Sequence, residues 1–319
     1  MPRRAQCGPG KSSKAPMPPN SQFPGPARAH PKFAAVAALA LCLFGVGAFA
    51  AGPLPEAQVK IHALAFNGIL DSMNGCGHAD LRYSHDASEG HDQDSTKAML
   101  SDSWGITSRA ELIKMLKAFE SGSLGHRGRY WKVREAILKR QPEHYDDVFD
   151  ELKDVDAASM HIVLQHIDRP LGRGLPIAAW DFGRYINLCR AGFNLGWLSE
   201  TEAWDRILPA ARLLQANYDS WDDFAADYLI GRNFWSVGTI LENEMVRSLV
   251  KGMARPGVGL WALVPWDDSL GEGPILEDAL AARLLKDYVP RNQNFPLPSR
   301  HLSEDEQADV DRKTGLGAK

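Results

Sequence analysis

The sequence is short of cysteine, of long apolar runs and of any familiar catalytic phrase. Four cysteines in 319 residues exclude a disulfide-dense miniprotein. One uncharged apolar run, residues 33–51, approaches membrane-spanning length, which excludes a polytopic membrane protein. There is no G-x-S-x-G elbow, no H-E-x-x-H, no P-loop and no G-x-G-x-x-G after a strand. No cofactor is therefore expected. With 44% hydrophobic and 24% charged residues, the chain has the composition of a globular protein rather than a disordered or collagen-like one.

Acidic residues are missing from the first 32 positions, which hold Arg3, Arg4, Lys11, Lys14, Arg28 and Lys32. Residues 51–319 carry the other 30 Lys and Arg against all 40 Asp and Glu. An acidic body argues against binding a phosphate backbone, and no nucleic-acid partner is expected.

The run from Phe33 to Ala51 follows this basic, proline-rich stretch and ends in Ala48-Phe49-Ala50, an A-x-A pattern. Residues 1–50 read as a secretory signal, cleaved near Ala50, with translation from Met1 or Met17. The alternative is an uncleaved inner-membrane anchor through residues 33–51. Either way the body is expected outside the cytoplasm, periplasmic or secreted. Cleavage would leave Cys76 and Cys189, candidates for one disulfide worth about 4–5 kcal/mol in the chain-entropy model. The alternative is two unpaired thiols, with Cys189 buried in a helix.

Apolar periodicity predicts an all-α fold, a single irregular multi-helix domain. Residues 51–97 are expected to hold one helix over 56–73 and a polar, His-rich loop over 74–97. Residues 98–290 form the helical body, and 291–319 a polar tail. Ser108 with Glu111 and Ser199 with Glu202 have capping-box spacing, and Ser220 precedes Asp222 and Asp223. Further helices are predicted over 129–140, from Pro142, over 156–167, over 176–195, from Ser220 to about Met253, and over 275–288. Residues 257–266 read as irregular, with a small hairpin as the alternative.

Certain phrases carry a resemblance. They include Trp104-Gly105-Ile106-Thr107-Ser108-Arg109, Gly125-His126-Arg127 and Ala179-Trp180-Asp181-Phe182-Gly183-Arg184. Glu202-Ala203-Trp204, Ser220-Trp221-Asp222-Asp223-Phe224 and the stretch from Tyr228 to Trp235 complete the set. In order and character they resemble a bacterial family called domain of unknown function 1266, over roughly residues 100–265. The resemblance implies identity and a helical fold, and no chemistry.

Asp181 and Arg184 sit three apart on one predicted helix face. Arg232 and Trp235 repeat that spacing on a later helix. In one reading Asp181 orients Arg184, Arg184 and Arg232 grip an anion, and Trp180 or Trp235 supplies a stacking wall. In the other, these charges form an internal ion-pair network between helices, the commoner fate of such pairs. His126 and Asp181 are the candidate bases should the protein be a hydrolase; a loop histidine at a helix end is the alternative. His78, His85 and His91 crowd one loop beside Cys76, but their spacing fits no compact zinc motif. Trp261 and Trp266 stand in the irregular stretch, as a surface contact or as core. The chemistry that fits best is a noncatalytic binding or interaction protein of the cell envelope. A hydrolase with a His/Asp/Arg cleft and an immunity-like or scaffold protein meeting a protein partner are the alternatives.

Overall fold

Short polar residues in extended backbone start several of the helices. The computed structural model describes residues 54–277, apart from 83, 87–88, 91–92, 124, 141–146, 149–150, 153–154, 168–175, 237 and 239. The expected signal or anchor and the polar tail lie outside the described residues. Ser108 accepts from the Glu111 N–H, Asp156 from Ser159, Ser199 from Glu202 and Ser220 from Asp223. At Ser199 the capping box is reciprocal. At Ser108 it is not, because Glu111 reaches past the cap to the Thr107 N–H and hydroxyl.

The helices are α1 (Glu56–Ala65), α2 (Gly68–Asn74), α3 (Gln93–Trp104), α4 (Arg109–Glu120), α5 (Arg127–Leu138) and α6 (Ala157–Gln165). They continue as α7 (Ala178–Asn194), α8 (Glu200–Asn217), α9 (Trp221–Trp235), α10 (Ile240–Met253) and α11 (Leu260–Leu263). Between α2 and α3 lies an antiparallel ribbon of β1 (Ser84–Asp86) and β2 (Glu89–Gly90). The fold is helical, as periodicity predicts.

Several boundaries differ from expectation. The single helix expected over 56–73 breaks at Asn67, whose buried side chain turns to Asp71 at 2.7 Å. The loop expected over 74–97 holds the ribbon, and α3 already begins at Gln93. The long helix from Ser220 ends at Trp235, where Ser236 is extended and Arg232 reaches across the break to Asn243. Residues 257–266 contain α11, not a hairpin. Residues 275–277 are not helical, and most of the helices expected over 275–288 and from Pro142 lies outside the described residues.

Helix α7 is the axle. Fifteen of its 17 residues are buried, and α2, α3, α4, α8 and α9 pack around it. Its buried charges are therefore paired inside the fold, Asp181 with Arg184 and Arg190 with Asp71. Gly231 lets α9 approach α7 closely, since a Cβ there would lie 2.4 Å from the Trp180 Cβ. The larger apolar cluster surrounds α7, and a smaller one joins α5, α6, Ile230 and Phe234.

Trp261 and Trp266 belong to the larger cluster. Trp221 stacks on Trp261 at 5.1 Å, and Phe66, Phe224 and Trp266 close around them. Both buried indoles find acceptors, Trp221 at the Val264 carbonyl and Trp261 at that of Ala65.

His62 stacks on Phe66 at the edge of this nest, buried, with no hydrogen-bond partner on either ring nitrogen among the described residues. Burial lowers its pKa from the usual 6.5 to about 4. The unfolded chain therefore takes up this proton below pH 6.5, and the folded chain does so only near pH 4. Stability from His62 is full above pH 6.5 and is lost as pH falls through that window. The loss should be on the order of 3 kcal/mol by the standard conversion. Urea unfolding at pH 7 and pH 4.5 should show it in the wild type, and His62→Leu should flatten that part of the profile.

Candidate functional site

Asp181 stands in the first turn of α7 with no exposure to water. Its carboxylate accepts from the His126 N–H at 2.9 Å, the Arg127 N–H at 3.1 Å, Arg127 Nε at 3.2 Å and Arg184 Nη2 at 2.5 Å. His126 is the cap residue of α5, but its own side chain does not cap. Asp181 thus caps α5 from another helix, placing a negative charge at its positive end. Burial by itself would raise the Asp181 pKa. Hydrogen bonding from His126 and the charges of Arg184 and Arg127 outweigh it and hold the carboxyl well below the usual carboxylate range.

The approach depends on Gly125. Its φ is +97°, and a Cβ there would lie 2.4 Å from Asp181 Oδ2. Arg127 also donates to the Phe119 carbonyl and lies 4.3 Å over the Phe182 ring. Arg184 donates through Nε to the Trp180 carbonyl and through Nη2 to His126 Nδ1 at 2.8 Å. Its guanidinium lies 4.5 Å from the Trp180 ring, 5.4 Å from Trp104 and 5.5 Å from Phe119. Burial lowers the Arg184 pKa, opposed by Asp181.

The structure therefore brings His126, Asp181, Arg184 and Trp180 together. Arg232 does not join them. It donates to Asn243 at 2.8 Å and tethers α10 to α9. Trp235 packs at 5.5 Å on Trp180 while keeping 54% of its surface in water. His126 is not oriented by Asp181 as a base would be, because its Nδ1 is 3.6 Å from the carboxylate and 2.8 Å from a cation. Four N–H donors leave Asp181 no basicity to offer.

Two further buried aspartates do similar work. Asp227 accepts from the Ile177 and Ala179 N–H groups and the Tyr218 hydroxyl, capping α7. Asp71 pairs with Arg190 at 2.5 Å, and Arg190 Nη2 donates to the carbonyls of Gly77, Asp80 and Arg82. Those bonds fasten the segment after α2 to the core. His78 lies there, 3.4 Å from both Asp71 Oδ2 and the Ser72 hydroxyl. The order suggests a proton relay, but both contacts are long and the carboxylate is held by Arg190. Sequence reasoning missed Arg127, Asp71, Asp227 and Arg190. Their partners lie too far away in sequence for any local pattern to show them.

Cys76 and Cys189 are both free and buried, so the disulfide expectation gives way to its alternative. Burial pushes the Cys76 thiol up to about 12, with the Asp71 charge adding to it, and raises that of Cys189 further. Among the described residues, no group of three or more His, Cys, Asp and Glu side chains could hold a metal ion. The His85 side chain and His91 lie outside the described residues. No helix among the described residues is long and apolar enough to cross a membrane, and residues 33–51 lie outside them.

A family model described as "Protein of unknown function (DUF1266)" matches residues 99–266, just over half of the chain, and the chain belongs to that family. No curated protein and no solved structure matches it. The matched region holds the whole Asp181 cluster and leaves out α1, α2 and the ribbon.

Asp181→Asn keeps the shape and removes the charge that two guanidiniums share. Urea unfolding should show a loss of about 3–5 kcal/mol, as for other buried pairs broken on one side. Gly125→Ala should destabilise through the same contact. A loss under 1 kcal/mol for Asp181→Asn would mean that the cluster does not hold α5 in place.

Proposed function

We propose that the chain is an exported, noncatalytic binding protein of the cell envelope, and that it binds where Trp235, Trp180, Arg184 and His126 meet. One observation carries the reading. An indole more than half in water is continuous, through Trp180, with a guanidinium held among aromatic rings. Large exposed aromatics beside arginine are the residue types that anchor recognition. The noncatalytic part draws on Asp181, which is saturated with donors, and on His126 Nδ1, which faces a cation. The export part draws on the apolar run ending in Ala48-Phe49-Ala50.

Two measurements test it. Thermal shift against small carboxylates, phosphates, sugars and short peptides should show one class raising the melting temperature of the wild type. That shift should be lost in Trp235→Ala. No shift from any class, or a shift that survives the variant, refutes binding at this edge. Separately, the intact mass of the protein recovered from the envelope fraction should correspond to a chain starting near Ala51. A full-length chain in the cytosol would overturn export.

A further inference from the structure

We infer that the turn joining α10 to α11 docks on an anionic lipid surface. The inference uses no residue of the Asp181 cluster and does not rest on binding at Trp235. It begins with charge. Residues 245–266 are the longest stretch without Asp or Glu between positions 51 and 319, in a body that is otherwise acidic. They hold Arg247, Lys251 and Arg255. Arg247 is paired with Glu244 at 2.6 Å. Lys251 and Arg255 are exposed and meet no acid or other acceptor among the described residues. An acidic body with one basic place has a preferred face toward an anionic surface.

The chain turns back sharply here. The Val258 and Gly259 N–H groups both donate to the Arg255 carbonyl, and a Cβ on Gly259 would overlap the Met253 carbonyl. The turn is therefore closed against the end of α10, and residues 254–258 are all exposed along it. Gly259 is the N-cap of α11, which puts Val258 and Leu263 at the two positions that form a hydrophobic staple. This staple is left uncovered. Val258 is 57% exposed and Leu263 38%, and Pro256, Ala262 and Pro265 beside them are exposed as well. Lys251 stands about one helical turn before Arg255, and the Arg255 N–H still bonds back to the Gly252 carbonyl, so the two cations border the apolar turn on its α10 side.

Two aliphatic side chains and two cations are too small a patch for a stable protein interface, which takes about 800 Å² from each partner. They suit shallow docking at a lipid interface. There the aliphatic groups enter the boundary of headgroups and acyl chains, and the long stems of Lys and Arg reach the phosphates. The next acids in sequence, Asp267 and Asp268, belong to a segment held elsewhere, because Gln215 of α8 donates to the carbonyls of Trp266 and Asp268.

A polarity-sensitive fluorophore on Ala262→Cys tests this in the full chain. Cys7→Ser and Cys42→Ser leave that thiol as the exposed one, since Cys76 and Cys189 are buried. The probe surfaces are phosphatidylcholine vesicles with and without phosphatidylglycerol. The label reports its own surroundings, so lipid binding by the apolar run 33–51 alone leaves it in water. Vesicles containing phosphatidylglycerol should shift its emission to the blue, and neutral vesicles should not. Lys251→Glu with Arg255→Glu should remove most of the shift, as should Val258→Ser with Leu263→Ser. All four side chains are exposed, so the melting temperature should stay unchanged. Emission unchanged on anionic vesicles, equal shifts on both vesicle types, or a shift that survives charge reversal overturns the inference. A shift brought instead by lipid-free envelope extract would replace the lipid with a protein partner and overturn it too.

Discussion

A carboxylate shut away from water stays ionised only if donors surround it, and Asp181 has four. They come from the start of α5 and from its own helix, so the charge works as a joint. The α5 helix carries Tyr130, Val133 and Ile137 into the smaller apolar cluster, while α7 is the centre of the larger one. Asp181 is therefore where the two clusters are registered against each other. The joint constrains its surroundings in turn. Gly125 must lack a side chain, the α5 cap needs no capping side chain of its own, and Arg184 is held in one orientation.

The same device recurs one turn earlier, at the N-cap of α7. Asp227 caps α7 at Ile177, a β-branched residue with φ of +48°, a conformation that costs about 1–2 kcal/mol. The carboxylate, the Tyr218 hydroxyl and the tight packing of Gly231 over-determine that turn, so the strain persists. Asp71 with Arg190 does the corresponding work for the segment after α2. Buried ion pairs of this kind contribute little net stability beyond an apolar replacement, but breaking one side is costly. That asymmetry suits them to fixing which helix meets which.

What the sequence made legible follows from the range of each interaction. Ser108, Ser199 and Ser220 announce helix starts because a cap bonds within three residues. Asp181 and Arg184 announce a shared face because three residues make nearly one turn. Nothing local says that Asp181 will cap α5, more than 50 positions earlier, or that Arg190 will reach back to Gly77. Helix breaks were equally hidden. The apolar rhythm runs through Asn67 and past Trp235 unchanged, and the chain breaks there because a buried polar side chain finds a better partner than the next turn. Spacing puts Arg232 with Trp235 on one face, but it does not show that Arg232 will reach Asn243 across the break after α9.

The arginines of this protein separate into two kinds by what their nitrogens meet. Arg190 gives Nη2 to three carbonyls, and Arg212 gives its nitrogens to the carbonyls of Leu270, Gly271, Glu272 and Pro274. Each wraps a segment without secondary structure, and the donors are used to hold backbone. Arg184 is fastened just as firmly, but to a side-chain carboxylate, that of Asp181, and among rings. Arg127 ties Asp181 to the start of α5, and Arg184 ties the same carboxylate to the His126 ring and the Trp180 carbonyl.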